Sequence, residues 1–375
     1  MSTPIHPTPR FAPVPGSLSD AVPFVGPETL ERQRGAVFRA RLGANENGFG
    51  PSPRAVQAMA EAASEVWKYG DPTSHDLRAD LAAALDVTPG HLVVGEGIDG
   101  LLGLIVRLMV APGDRVVTSL GGYPTFDFHV NGFGGVMERV PYLGDRQDVS
   151  GLIRRGRETG ARLIYVCNPD NPMGGWLPPE EIEAALADLA DGTILILDEA
   201  YAEFAPALPR IDADDPRIIR MRTFSKAYGM AGARVGYAIG APDVIRAFGR
   251  IRNHFGVNLM GQRGAQAALA DRDWLAQTVR NVIASRARIA EIAARNGVVA
   301  LPSATNFVAV DLGRDADHSR RVLAELAQDG VFARMPWVAP HTRCIRISCG
   351  PDAEMDILAE ALPGALARAG AAAGA

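Results

Sequence analysis

Cysteine is scarce in this sequence: Cys167, Cys344 and Cys349 are the three present. An odd, sparse set builds no disulfide framework, and no Cys-x-x-Cys pair offers a zinc site. The three read as core thiols in a reducing compartment. Long apolar runs are also missing. The longest apolar helix candidate, residues 101–111, is interrupted by Arg107 and is too short to span a bilayer. The first 35 residues are rich in proline but lack the apolar stretch of a signal peptide. Basic runs are absent, and 38 Lys+Arg against 43 Asp+Glu leave a net charge of −5, which argues against nucleic acid as the main partner. These absences predict a cytoplasmic protein whose partners are neither nucleic acid nor membrane. What remains is an ordinary globular composition, 47% hydrophobic and 22% charged over 375 residues. A chain of this kind can bury large cores in two or three domains.

The apolar pattern alternates along the first two thirds. Short runs at HLVVG, DRVVTSL, ARLIYVCNP, TILILDEAY, IIRMRTFS and RVGYAIG, with the weaker GGVMERVPY, predict about seven strands. SPRAVQAMAEAASEVW and SHDLRADLAAAL precede them with helical spacing, and IDGLLGLIVRLMV and PEEIEAALADLA fall between them. Strands buried on both faces with crossover helices make a mainly parallel α/β sheet. The texture changes after Phe255. A long helical run ends at Gly297, and NFVAVDLG, GVFARMP and CIRISCG follow as strands among further helices. The expected division is an N-terminal arm over 1–41, a large domain over 42–255 and a smaller α+β domain over 256–375, which the arm joins. The tail ARAGAAAGA is low in complexity and expected to fray.

Four segments carry chemistry. TFSKAYGMAGARVGY places Lys226 beside Ser225, with Arg234 downstream. A lysine in apolar, glycine-rich surroundings is desolvated and becomes a nucleophile or Schiff-base former, while Ser225 and Arg234 suit a phosphate. A solvated surface loop is the plain alternative. In TILILDEAYAEF, Asp198 ends an apolar strand and Tyr201 follows. Ligand sites form at the carboxyl ends of parallel strands. An N-cap aspartate, or a Mg²⁺-binding pair of Asp198 and Glu199, are the other readings. CNPDNPMGG holds Asn171 in a proline- and glycine-rich turn. GEGIDGLL enters a helix through glycines and offers free backbone N–H groups to a phosphate, although it departs from the G-x-G-x-x-G spacing and carries Asp99.

In this order the four segments resemble the pyridoxal-phosphate aminotransferases of fold type I, in the branch of the histidinol-phosphate aminotransferases. The resemblance runs from GANENGFGPSP through WKYGDP, GEGIDG, YPTF, NPDNPMGG, DEAY and RTFSKAYGMAGARVGY to NFVAV and CIRISCG. It implies a large domain with a mainly parallel sheet plus a smaller α+β domain, and transfer of an amino group from an amino acid or histidinol phosphate to a 2-oxo acid. By resemblance, Lys226 carries the cofactor and acts as the base, Asp198 pairs with the pyridine nitrogen, and Tyr201 and Asn171 meet the ring oxygen. Tyr123 stacks on the ring. The backbone N–H groups of Ile98 and Asp99, with Thr223, Ser225 and Arg234, hold the phosphate. Tyr69 matches a tyrosine that reaches the neighbouring subunit's phosphate, which implies a homodimer. Arg346 and, behind it, Arg334 match anion-contacting arginines, and Asn47 lies in a segment that approaches substrate.

The sequence also departs from that pattern. Met173 stands where the family's N-P-x-N-P-T-G motif has threonine. RNHFGVNLMGQ lacks the family's proline-aromatic-asparagine segment, and MPWVAPHT supplies Trp337 near the substrate arginines. Phe255 and Trp337 lining an apolar pocket would favour an aromatic amino donor. A threonine-phosphate decarboxylase or lyase shares these motifs, and the bond held perpendicular to the ring decides between the reactions. A regulatory cofactor-binding module and a dinucleotide-dependent dehydrogenase are weaker readings: the first lacks a DNA-binding segment, and the second leaves the Lys226 block unexplained.

Overall fold

Aliphatic and β-branched runs too short for helices build the centre of the molecule. The computed structural model describes residues 10–20 and 25–371. The arm contains α1 (Pro13–Gly16), α2 (Pro27–Arg34) and β1 (Ala40–Arg41), and α3 (Pro53–Ala63) and α4 (His75–Leu85) follow. Strands and helices then alternate: β2 (Leu92–Gly95), α5 (Gly97–Met109), β3 (Arg115–Ser119), α6 (Pro124–Gly132), β4 (Val136–Val140), α7 (Val149–Thr159), β5 (Leu163–Cys167) and α8 (Pro179–Leu186). Next come β6 (Ile194–Asp198), β7 (Ile218–Thr223), β8 (Gly236–Ile239), α9 (Pro242–Phe248), α10 (Leu259–Ala270) and α11 (Arg272–Arg295). The remainder is β9 (Val299–Ala300), β10 (Phe307–Asp311), α12 (Ala316–Gln328), β11 (Val331–Phe332), β12 (Cys344–Ser348) and α13 (Asp352–Ala371). No helix among the described residues is long and apolar enough to cross a membrane.

The large sheet has seven strands in the order β2-β8-β7-β6-β5-β3-β4. All pairs are parallel except those of β8, which runs antiparallel to both β2 and β7. Every residue of β5 and β6 is buried. Leu163, Tyr165, Cys167, Ile194 and Ile196 join one core cluster, whereas Ile164, Val166, Leu195 and Leu197 join another. Alternate side chains thus serve opposite faces, each covered by helices. The smaller body is the antiparallel sheet β12-β10-β9, against which α11 and α12 pack. The arm reaches this body through β1, which pairs with β11 in parallel.

Several boundaries differ from the expectation. After Phe255 the chain forms α10, which lies against α3 and α4. Glycines allow that approach: a Cβ on Gly264 would fall 2.6 Å from Met59, and one on Gly261 would fall 2.9 Å from the Ala233 carbonyl. The helices α6 and α9 are short and begin on Pro124 and Pro242, and α7 starts on an Asp148 cap and buries Val149, Leu152 and Ile153. GVFARMP contributes two strand residues only. Much of the tail expected to fray is helical, because Ala365 and Ala369 are buried on α13. Residues 372–375 lie outside the described residues.

The end of β6 excludes the Asp-Glu metal pair. Asp198 looks toward the carboxyl end of the sheet, and the next side chain, Glu199, serves the opposite face. There Glu199 is fully buried and accepts from Arg220 Nε at 3.1 Å, Arg220 Nη2 at 3.0 Å and Arg222 Nε at 2.8 Å. Removing one member of a buried ionic network strands the others without water. Glu199→Ala is therefore expected to lower unfolding stability by about 3–5 kcal/mol, read as a shift in the urea midpoint, while an exposed pair such as Arg246–Asp243 contributes little.

Candidate active site

Parallel strands β5, β6 and β7 end at Cys167, Asp198 and Thr223, and these residues share the wall of one cavity of about 250 Å³. Lys226 enters it from the loop after β7. Its Nζ donates to the Asn45 carbonyl at 3.1 Å and lies 5.7 Å from the centroid of the Tyr201 ring. Burial pulls the amine down to about 8, and nearby Asp99 opposes that pull. The loop is held firmly. Asn47 Nδ2 donates to the carbonyls of Lys226 and Ala227 at 3.0 and 3.1 Å. Gly229 has φ +68°, and a Cβ there would lie 2.4 Å from the Gly50 backbone. Asn47 therefore commits its amide to the lysine's backbone and does not line the cavity; its neighbour Glu46 and Ala44 do.

Asp198 sits on the floor, 3% exposed. Tyr165 donates to its Oδ2 at 2.6 Å and the Ala200 N–H to its Oδ1 at 2.9 Å. Burial raises it to about 6 against those hydrogen bonds. Tyr165 is a site residue that sequence reasoning missed. The available signal was strand alternation, since Tyr165 and Cys167 share a face of β5. Tyr201 also faces the cavity, and its hydroxyl accepts from Asn45 Nδ2 at 3.0 Å. Asn45 was missed too.

The far end of the cavity is an anion cradle. Helix α5 opens at Gly97 with φ +75°, and a Cβ there would fall 2.5 Å from Arg234 Nη2. The first-turn N–H groups of Ile98 and Asp99 have no intrahelical acceptor and carry the positive end of the helix dipole. Across from them, Ser225 Oγ accepts from Thr223 Oγ1 at 2.9 Å and from Arg234 Nη1 at 3.4 Å. Arg234 itself has φ +56°, an uncommon backbone setting for a residue with a Cβ. The Asp99 carboxylate turns aside: it accepts from Tyr123 at 2.7 Å and pairs with Arg234 at 3.6 Å. This donor set matches pyridoxal phosphate part by part. The cradle suits a phosphate, the buried Asp198 a protonated ring nitrogen, the Lys226 amine a carbonyl carbon, and Tyr123 a ring face.

A second cavity, of about 530 Å³, shares Ala44, Asp99, Tyr123, Asn171 and Lys226 with the first. Arg346 and Arg334 line it, with Phe128 and Trp337. Their backbones meet where the Arg346 N–H donates to the Arg334 carbonyl at 2.6 Å. Arg346 is 3% exposed, donates Nη1 to Asn171 Oδ1 at 2.6 Å, and leaves Nε without a partner. Burial lowers it to about 10. Arg334 Nη2 donates to the Val25 carbonyl at 2.9 Å. Tyr69 and Phe255, like Asn47, fall outside both cavities. Tyr69 is 81% exposed and packs on Phe255 with ring centroids 4.7 Å apart. Phe255 thus lines no substrate pocket of its own chain, whereas Trp337 does.

Comparison with known proteins places this geometry. The family model for aminotransferase class I and II matches residues 40–362. A histidinol-phosphate aminotransferase of Moorella thermoacetica is 32% identical over 352 residues, covering 92% of this chain and 90% of that one. Histidinol-phosphate aminotransferase 2 of Ralstonia nicotianae is 35% identical over 338 residues, covering 89% and 90%. The crystal structure of a histidinol-phosphate aminotransferase from Sinorhizobium meliloti, in complex with pyridoxal-5'-phosphate, superposes with a TM-score of 0.93 at 54% identity and covers 96% of this chain and 98% of that one. An L-threonine-O-3-phosphate decarboxylase of Porphyromonas gingivalis shares the fold at 19% identity.

The chain has two lysines, Lys68 and Lys226, which makes the buried amine directly measurable. In ligand-free protein, acylation of Lys226 by a water-soluble amine reagent is expected to be half-maximal near pH 8, where an ordinary lysine requires about pH 10.4. Peptide mapping reads the two sites separately. A Lys226 profile with its midpoint at or above pH 10 would refute the desolvated amine.

Proposed function

The chain belongs to the class I and II aminotransferase family, and from that premise we propose how this chain's residues divide the work and which donor they fit. It is a pyridoxal-phosphate-dependent aminotransferase that passes an amino group from a donor to a 2-oxo acid in two half-reactions. The observation that carries the assignment of roles is Lys226, a buried amine at the junction of two cavities, with an anion cradle and a buried carboxylate on one side and two arginines on the other.

When bound, pyridoxal phosphate supplies an electron sink for the charge left as the donor's Cα–H bond breaks. Lys226 Nζ would hold the cofactor. Its lowered pKa would suit Lys226 Nζ to take the proton from the donor's Cα. Asp198 keeps a proton on the ring nitrogen through charge, and Tyr165 and the Ala200 N–H aim the carboxylate. Tyr201 and Asn171 would hydrogen-bond the ring oxygen, and Tyr123 would cover the ring. Ile98, Asp99, Thr223, Ser225 and Arg234 hold the phosphate, with Thr223 acting by orienting Ser225. Arg346 and Arg334 receive the donor's anionic end, each forking an oxyanion with paired N–H groups. Asn47 acts by fixing the backbone of Lys226.

Histidinol phosphate is the donor that fits best. Its phosphate meets the adjacent arginines, and its ring lies along Phe128 and Trp337 in the larger cavity. The relatives' names support the same donor. The active molecule is a homodimer: the exposed Tyr69, Phe255 and Trp67 form an aromatic surface fit for a second copy, with Tyr69 reaching the neighbouring cradle. Three buried free thiols support a cytoplasmic setting. The smaller body begins at α11 and is joined by the arm's β1, while the larger starts at residue 42 and keeps α10.

Absorbance tests this reading. Protein mixed with pyridoxal phosphate should gain a visible band that Lys226→Ala lacks. Histidinol phosphate should bleach the band, and 2-oxoglutarate should restore it. Asp198→Asn should keep binding but lower kcat at least about a hundredfold. Bleaching by phenylalanine or tyrosine and not by histidinol phosphate would replace the donor assignment. Absence of the band in the native protein would refute the assignment of Lys226.

A further inference from the structure

Asp170 lies beside Asn171 but enters no cavity, and none of the roles above uses it. It is 3% exposed. Its Oδ1 accepts from Gln147 Nε2 at 2.6 Å and from the Tyr142 hydroxyl at 3.0 Å, and its Oδ2 accepts from the Met173 N–H at 3.1 Å. The backbone closes the same turn: Asp170 N–H donates to the Gly175 carbonyl at 2.8 Å, and Gly174 N–H donates to the Asp170 carbonyl at 3.0 Å. The turn so formed presents Asn171, whose Oδ1 receives Arg346 Nη1 at 2.6 Å.

Arg346 and Asp170 are therefore a buried cation and a buried carboxylate, one residue apart in the network. Neither has an ion pair of its own among the described residues, and each feels the other's charge. The remaining groups facing Asp170 are Tyr142, from the segment after β4, and Cys167, at the end of β5. His341 packs on the other side of Tyr142, ring centroids 4.6 Å apart, and its Nε2 is 3.1 Å from the Gly144 carbonyl.

We infer that Asp170 is a positioning residue of the transamination: it closes the turn that aims Asn171 and stands as the buried counter-charge of Arg346, so that anion binding at Arg346 is coupled to proton uptake at Asp170. The inference rests on the reading that Arg346 receives the substrate's anion. Its physical basis is that two anions cannot share one desolvated guanidinium without mutual repulsion. An ionised Asp170 competes with the incoming anion for Arg346, and a protonated one does not. Burial, opposed by the three donors, holds Asp170 near 7. The sign follows. Anion affinity is greatest below that pH and falls as pH rises through it, because the bound anion favours the protonated carboxyl.

The test titrates holoenzyme with glutarate, an amine-free dicarboxylate ionised across the range, and follows the cofactor absorbance between pH 6.5 and 8.5. In the native protein Kd should rise about tenfold across the range. Asp170→Asn should bind glutarate at pH 8.5 nearly as tightly as at pH 6.5. Tyr142→Phe removes a donor to the ionised carboxylate and should move the rise to higher pH. An Asp170→Asn protein with the native absorbance spectrum and the native Kd at both ends would overturn the inference. Should that variant fail to load cofactor, an unmoved profile in Tyr142→Phe would overturn it equally. Arg346→Ala separates the two levels: loss of glutarate affinity supports the anion site, and retention sinks the Arg346 assignment along with the coupling.

Discussion

Charge held out of water is the constraint on which the rest of the structure depends. Lys226, Asp198, Asp170 and Arg346 are all buried, and burial drives each toward its neutral form, to about 8, 6, 7 and 10 respectively. None of the four has an ion pair of its own among the described residues. Hydrogen bonds from Tyr165, Gln147, Tyr142 and backbone N–H groups restrain the two carboxylates, while Lys226 and Arg346 donate to the Asn45 carbonyl and to Asn171 Oδ1, in place of countercharges. Such an arrangement costs folding stability and leaves each group ready for a complementary ligand. The sheet makes the cost tolerable. Its central strands are apolar on both faces, so the polar groups gather at the strand ends, where loops can carry them.

Three asparagines tie that edge together. Asn47 fixes the backbone of Lys226, and Asn45 offers its carbonyl to the Lys226 amine. Asn306, from the smaller body, donates to the carbonyls of Asn45 and Glu46 at 3.1 Å each. Ser348 on β12 donates nothing here; its Oγ accepts from the Asn45 N–H at 3.0 Å. A shift of the smaller body is thus transmitted through residues 45–47 to the lysine. The segment is short, and its links to Lys226 and Asn306 are hydrogen bonds.

The sheet was legible in the sequence because its strands are continuous apolar runs, and period and length together separate them from helices. The lysine block, the carboxylate that ends β6 and the asparagine turn were legible because rare combinations of residue types sat at strand ends. Other parts were not. Tyr165 looks like an ordinary core aromatic until its hydroxyl is seen on Asp198. Asn45 and Asn306 belong to loops whose meaning is set by contacts more than 150 residues away, as the Asn45–Tyr201 separation of 156 shows. Helix α10 was hidden because its contact face is made of glycine and alanine, which leave no apolar stripe to read. Phe255 carried the right chemistry for a pocket, but the fold placed it on the surface beside Tyr69.

The clamp on Glu199 has a consequence for how β6 finds its place. Side chains along a strand alternate, so a slip of one residue against β5 and β7 would exchange the faces of Asp198 and Glu199. The neighbouring apolar residues, Ile194 to Leu197, resist such a slip weakly, since both faces of this strand are apolar. Arg220 and Arg222 donate to a carboxylate on one side of the sheet only. They act as a registration pin, and the reactive carboxylate is delivered to its cavity by an ion cluster that never touches it.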